Sequence, residues 1–136
     1  MTTPATTKAG FTAASDSPLI DDLIGSNADA LLARKYTLVD GQNIKRGTVV
    51  GVVTADGTVM ASLSGASDGS QTPFGIAAED ADTTGSPVAT GQINVFVRGS
   101  FNEHALILGA SHTIASIREG LRDKGIYLET PVKRYP

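Results

Sequence analysis

The chain of 136 residues has no cysteine and no tryptophan, and its only aromatic residues are four phenylalanines and three tyrosines. The absence of cysteine excludes disulfides, thiolate metal sites and thiol catalysis. With so few aromatic side chains, the core must consist of Val, Ile, Leu and Ala. Charged residues make up 18% of the chain, against roughly 25% in an average soluble domain. Such a composition fits a domain largely covered by partners, and equally a monomer solvated by Thr, Ser and Gly.

The basic residues are not concentrated in any one region, and the net charge is −3. The basic residues occur in scattered pairs such as Arg34–Lys35 and Lys45–Arg46, which do not form the basic stripe that follows a phosphate backbone. No apolar run approaches the ~18 residues of a membrane span. Residues 1–10 lack the basic and apolar regions of a signal peptide. We therefore expect neither a nucleic acid nor a membrane as partner.

The groups needed for catalysis or metal binding are also missing. His104 and His112 are the only histidines, and no second ligand lies at metal spacing from either, whereas zinc needs three or four ligands. The acidic loop at residues 79–82 lacks the spaced oxygen ligands of a calcium loop. Ser67–Ser70 has no following helix, as a nucleophile elbow would. The sequence therefore predicts a protein without catalytic residues, metal or cofactor, which is not an enzyme.

From residue 36 onward the pattern predicts a mainly β module. The predicted strands are Tyr36–Val39, Thr48–Thr54, Thr58–Ser62, Phe74–Ala78, Ile93–Arg98 and Ile126–Leu128. They are rich in β-branched residues or alternate between apolar and polar ones. Ala55–Gly57 is typical of a hairpin turn. Gly99–Ser100 is expected to end the fifth of these strands.

One helix is predicted between the last two of these strands. Ile114, Ile117 and Leu121 recur at helical spacing, so they would form one apolar stripe. Thr113 or Ser111 can cap its N-terminus. Gly125 follows at the position where helices commonly end, because glycine readily adopts the left-handed conformation found there.

Residues 1–35 are predicted to be a flexible N-terminal arm, and residues 36–136 the β-rich domain. Residues 1–17 are mostly Thr, Ala and Ser, too polar to offset the cost of ordering their backbone. The second half of the arm carries six aliphatic side chains predicted to bind a partner: Leu19, Ile20, Leu23, Ile24, Leu31 and Leu32. Residues 18–34 could contain one helical turn ending at Gly25, or could be extended throughout, and the sequence does not choose between the two.

Four motifs, in order, carry a resemblance to a known family. They are Gly41–Gly51 (GQNIKRGTVVG), Ser67–Pro73 (SDGSQTP), Val97–Glu103 (VRGSFNE), and Leu121–Arg122 followed by Gly125–Leu128 (GIYL). Each motif is weak alone, but their order and spacing are specific. The chain resembles the head decoration proteins of tailed phages, the lambda-type capsid stabilisers, over about residues 36–130.

The resemblance implies a small β-barrel-like module, sometimes called a β-tulip, with one short α-helix and an extended N-terminal arm. It further implies a homotrimer made in the bacterial cytoplasm and bound to the outer surface of the expanded head at local three-fold positions. There the trimer would strengthen the shell against internal DNA pressure, with the arm ordered on the major capsid protein. An alternative class is a non-catalytic β-barrel that binds carbohydrate or peptide, although few aromatic residues are available to line its groove.

Overall fold

The computed structural model describes residues 23–25, 30–85 and 91–130. Within those residues the strands are β1 (Leu32–Thr37), β2 (Asn43–Ile44), β3 (Val49–Val52), β4 (Val59–Ala61), β5 (Pro73–Ala77), β6 (Ala81–Asp82), β7 (Gln92–Asn102) and β8 (Ile126–Glu129). The helix α1 spans Ile114–Asp123, and a 3-10 helix spans Glu103–Ala105. The predicted mainly β fold with one short α-helix is confirmed.

The longest of the described strands, β7, organises the main sheet with its eleven residues. The strand order is β1-β7-β5-β3-β4, and every neighbouring pair in this series is antiparallel. Strand β8 pairs with β7 in parallel, beyond the end of β5. The short strands β2 and β6 form a separate pair. Strand β7 therefore has β1 on one edge, and β5 followed by β8 on the other.

The prediction that Gly99–Ser100 ends a strand is wrong, because β7 continues through both residues to Asn102. Gly99 lies where β7 exchanges one partner strand for the next, since its pairing with β5 ends at Phe96 and its pairing with β8 starts at Gly99. The φ angle of Gly99 is +140°, and a Cβ there would lie 2.6 Å from Cδ2 of Leu31. Glycine accommodates both constraints, so the strand changes partner without ending.

The main sheet buries both of its faces. Successive residues of a strand point to opposite faces, so Val49 and Val50 belong to different cores, as do Ile76 and Ala77. The first core, which includes α1, contains Leu23, Val49, Ile76, Phe101, Ile117, Leu121 and Ile126. The second contains Leu38, Ile44, Val50, Val59, Ala77, Ile93 and Val95. These two clusters of aliphatic side chains and one phenylalanine hold the module together.

The described sheet curls without closing into the barrel that the resemblance suggested. Leu38, just after β1, forms a single parallel bridge with Val59 of β4, and the Val39 N–H donates to the Val59 carbonyl over 2.9 Å. This contact brings the two outer strands together at one point only. A closed barrel would need a continuous ladder there.

Helix α1 follows the predicted pattern closely. Thr113 caps it, with reciprocal hydrogen bonds to Ser116, and the Ile117 and Leu121 side chains are buried. The last turn tightens, because the Gly125 N–H donates to the Arg122 carbonyl over 3.0 Å. Gly125 then adopts a φ of +90°. The apolar stripe, the cap and the terminal glycine are therefore confirmed.

The predicted boundary between arm and domain, after residue 35, falls inside a strand. Strand β1 begins at Leu32, whereas the sequence predicted a strand from Tyr36. Leu32–Lys35 pair with Asn94–Arg98 of β7. The segment Leu-Ala-Arg-Lys contains no residue type that strongly favours β-strands. The long neighbouring strand β7 supplies the hydrogen bonds that stabilise this segment as a strand.

Candidate binding surface

The chain enters the domain along the edge of β7. The Asn102 N–H donates to the Leu23 carbonyl over 2.9 Å, and the Gly25 N–H donates to the Ser100 carbonyl over 2.7 Å. Ile24 forms an antiparallel bridge with Phe101. Leu23–Gly25 thus lie beside the same strand edge that β1 occupies further along. We call Leu23–Gly25 the arm root.

The arm root, which contains two of the six predicted binding residues, packs against the domain. The Leu23 side chain is only 5% exposed and belongs to the first core, against which Ile24 also packs. In this conformation the domain itself covers the Leu23 side chain. A Cβ on Gly25 would lie 2.6 Å from Oε1 of Glu129, so the two backbones approach closely. A glycine next to aliphatic residues is a signal of such an approach.

Of the four remaining predicted binding residues, the structure describes Leu31 and Leu32. Leu31 is partly buried against the first core, whereas Leu32 is 39% exposed on β1. Leu19 and Ile20 lie outside the described residues. Of the predicted six, the described part of the chain therefore presents Leu32 alone as a largely exposed side chain.

The outer edge of β1 faces away from the sheet. β1 is the terminal strand in the sheet order, and no other described strand pairs with that edge. Arg34 and Lys35 are both exposed. Charged side chains on an edge strand discourage unspecific pairing with other sheets. Arg34 and Lys35 therefore make this edge unfavourable for unspecific strand pairing.

A pocket of about 400 Å³ opens beside the arm root. It is lined by Ala30, Arg98, Gly99, Ser100, Lys124, Gly125 and Tyr127. Ser100 both lines this pocket and accepts the hydrogen bond of Gly25, so the pocket and the arm root are immediate neighbours. Sequence reasoning missed the pocket, because its residues come from β7, β8 and the end of α1, which only the fold brings together.

The charge of the pocket is positive. Arg98 and Lys124 are its two ionisable residues besides Tyr127, and none of the lining residues is acidic. The ion pairs formed by described residues are Arg118–Glu103 and Arg122–Glu119, and neither includes a lining residue. Neither Arg98 nor Lys124 therefore forms an ion pair with a described residue.

Two exposed apolar side chains flank the pocket. Leu32 is the cross-strand partner of Arg98, and Tyr127 is paired with Ser100; partners directly opposite each other point to the same face of a sheet. Leu32 is 39% and Tyr127 is 50% exposed. We call the surface formed by Leu32, Arg98, Ser100, Lys124 and Tyr127 the root surface. It combines apolar area with two cations, a composition that suits a protein partner.

A polar network on the other side of β8 fixes helix α1 to the domain. Nη2 of Arg118 lies 2.7 Å and 2.9 Å from the two carboxylate oxygens of Glu103, while its Nη1 donates to the Leu128 carbonyl over 3.0 Å. The Thr130 hydroxyl also donates to Glu103. These bonds, first that of Arg118 and then that of Thr130, hold the pKa of Glu103 below its ordinary value. Although Glu103 is adjacent to His104 in sequence, its side chain therefore bonds to Arg118 and Thr130.

The structure does not bring the other polar candidates together into a site. His104 is exposed on the 3-10 helix, while Nε2 of His112 lies 3.1 Å from Oγ of the buried Ser62. Glu79, Asp80 and Asp82 accept hydrogen bonds from three different residues: Asn94, Arg46 and Thr84. Across residues 23–25, 30–85 and 91–130, no three His, Asp or Glu residues gather as metal ligands.

The loop at residues 67–70 is held by its own side chains. Oδ1 of Asp68 accepts from both the backbone and the hydroxyl of Ser70, at 3.0 Å and 2.6 Å. These bonds lower the pKa of Asp68, with that of the Ser70 hydroxyl as the largest cause. Ser70 is fully buried, so its role is to shape the loop that packs against Gly51.

Comparison with known proteins identifies the family. The described residues contain no helix long and apolar enough to cross a membrane. The comparison with curated proteins gives no match. The family described as bacteriophage lambda head decoration protein D matches residues 14–126, which include strands β1 to β7, the whole of α1 and the first residue of β8. The chain therefore belongs to the bacteriophage lambda head decoration protein family, whose members are structural proteins of the virion capsid.

Proposed function

We propose that this chain is a cementing protein without catalytic activity, which binds the outer surface of the expanded phage head as a homotrimer at local three-fold positions. Its partner there is the major capsid protein, and its role is to stabilise the shell against internal DNA pressure. Neither a nucleic acid nor a membrane takes part in this binding. The observation that carries the proposal is the family match over residues 14–126.

The arm is the first element assigned to capsid binding, and Leu19 and Ile20 are its aliphatic residues that precede the arm root. In the sequence, Leu19 and Ile20 lie a few residues before the arm root. The arm root is held on β7 by two backbone hydrogen bonds. Added as a strand to an edge of the capsid protein, the arm would gain backbone hydrogen bonds and bury both side chains. The anchored root fixes the place on the domain from which the arm reaches the shell.

The energetics favour a trimer over a single copy. Burying Leu19 and Ile20 contributes about 3–6 kcal/mol, at ~1.5–3 kcal/mol each. Ordering even five arm residues costs about 5–10 kcal/mol at ~1–2 kcal/mol each. One arm is therefore marginal, whereas three arms on one trimer bind at high effective concentration. Binding to the head should depend strongly on the trimer.

Sedimentation with expanded heads that lack the protein tests this proposal. The wild-type chain should sediment with the heads and appear on them in groups of three by electron microscopy. Replacing Leu19 and Ile20 by Ser should release it. The matched control replaces Leu63 and Ile107 by Ser, because both are exposed aliphatics of the domain, 37% and 46% accessible. Failure of the wild type to bind, or single copies scattered over the shell, would contradict the proposal.

A further inference from the structure

We infer that the pocket between Arg98 and Lys124 receives an acidic side chain, Asp or Glu, of the head shell protein. This inference rests on the proposed function, because it takes the shell as the partner. The chain would then contact the shell in two ways: through the arm, and through a charged contact that the folded domain itself makes on the root surface.

The geometry of the pocket gives it the character of a carboxylate receptor. Arg98 comes from β7, and Lys124 follows the last residue of α1. Their cations have no acidic partner among the described residues, in contrast to Arg118 and Arg122. Ser100 and Tyr127 add hydroxyl groups to the same lining. A guanidinium and an ammonium beside two hydroxyls match the acceptor oxygens of a carboxylate.

The position of the pocket selects the shell as the source of that carboxylate. Ser100 lines the pocket and also accepts the hydrogen bond of Gly25 in the arm root. When residues 1–22 lie on the shell, the surface next to the arm root must face the shell as well. Leu32 and Tyr127 then supply apolar area around the ion pair, which lowers its exposure to water and strengthens it.

A second role for the two cations has to be distinguished in the test. Positive side chains near the C-terminal end of a helix interact favourably with its dipole, and Lys124 immediately follows the last residue of α1. If this were their whole contribution, removing the charges would change stability and leave head binding intact. The experiment therefore measures head binding, which such a purely structural role would leave intact.

The test compares two double variants of the full chain for binding to expanded heads that lack the protein. One carries Arg98→Gln and Lys124→Gln; the control carries Arg34→Gln and Lys35→Gln, which removes the same charge from exposed residues of β1. The pocket variant should bind about three- to fivefold more weakly per site and lose less affinity than the wild type between 50 and 200 mM salt, both typical of a lost charge pair at an interface. The control should bind within about twofold of the wild type.

Three results would overturn the inference. The first is equal binding by the pocket variant and the control. The second is weaker binding by the pocket variant with an unchanged salt dependence. The third is loss of the groups of three, which would place the pocket between copies of this chain instead. Failure of the wild type itself to bind heads would reject the proposed function, and is thereby distinguished from these outcomes.

Discussion

Replacing Leu23 by Ala decides whether the arm root belongs to the fold. Leu23 is 5% exposed and packs in the first core, so truncation should remove contacts that the rest of the core cannot fully restore. Buried Leu→Ala substitutions cost ~2–5 kcal/mol. Because the arm root is a short segment at a sheet edge, which can relax more easily than an interior strand, we expect about 2–3 kcal/mol.

The assay is urea unfolding at one fixed protein concentration, since assembly also contributes to apparent stability. With a slope of about 1.5 kcal/mol per molar urea, the loss should lower the unfolding midpoint by about 1–2 M. Leu32→Ala is the matched control, because Leu32 is 39% exposed and should cost less than about 1 kcal/mol. Equal midpoints for the two variants would mean that the root is a loose part of the arm.

Hydrogen exchange supplies a second readout of the same prediction. The amide hydrogens of Gly25 and Asn102 bond across the root, so both should be protected in the free protein. Leu23→Ala should accelerate their exchange more than that of Leu38, whose N–H donates to Gly91 on the opposite part of the sheet. Rapid exchange of Gly25 and Asn102 in the wild type would show that the root is open before any partner binds.

Three further predictions concern the domain. Gly120→Ala should stabilise the protein by about 0.5–1 kcal/mol in thermal unfolding, because Gly120 lies inside α1 and an added Cβ meets no atom within 4 Å. The carboxylate of Glu103 has a lowered pKa in the folded protein, so its stabilising effect should be lost as the pH falls below about 4.3, the ordinary pKa of Glu; Glu103→Gln should be less stable at pH 7 and show a smaller loss on acidification. His104→Ala should change head binding by less than about tenfold, or ~1.4 kcal/mol, in a sedimentation assay, since His104 is exposed and lies outside the root surface.

The parts of the fold that sequence predicted well are those with a local physical signal. Helix α1 combined a regular apolar stripe with a cap at Thr113 and a terminal glycine at Gly125. The β3–β4 hairpin combined β-branched strands with an Asp-Gly turn, in which Asp56 accepts from Thr58. In both cases the residues that determine the structure are close together in the chain, so their pattern is visible without the fold.

The parts that sequence missed depend on distant strands. Leu32–Lys35 becomes a strand because β7 offers a free edge, and Gly99 continues a strand because β8 takes over where β5 ends. Leu23 looked like an arm residue, since no local pattern indicates that Phe101 and Leu121 would complete its surroundings. Gly25, which follows the aliphatic pair Leu23–Ile24, was the one feature of the sequence that could signal a close approach of two backbones.

The arrangement of β7 explains how a weak contact at the pocket can matter for binding. Gly99 allows one strand to hold the arm root on one edge and β8 on the other, so Arg98 and Tyr127 lie beside the point from which the arm leaves. A single exposed ion pair contributes ~0.2–1 kcal/mol, too little to hold a protein on a shell. In the proposed assembly, however, the bound arm would bring the pocket to its partner at high effective concentration, and a trimer would make three such contacts at once. Because the pocket lies next to the arm root, the charged contact would determine where the domain sits on the shell, in addition to the contact made by the arm.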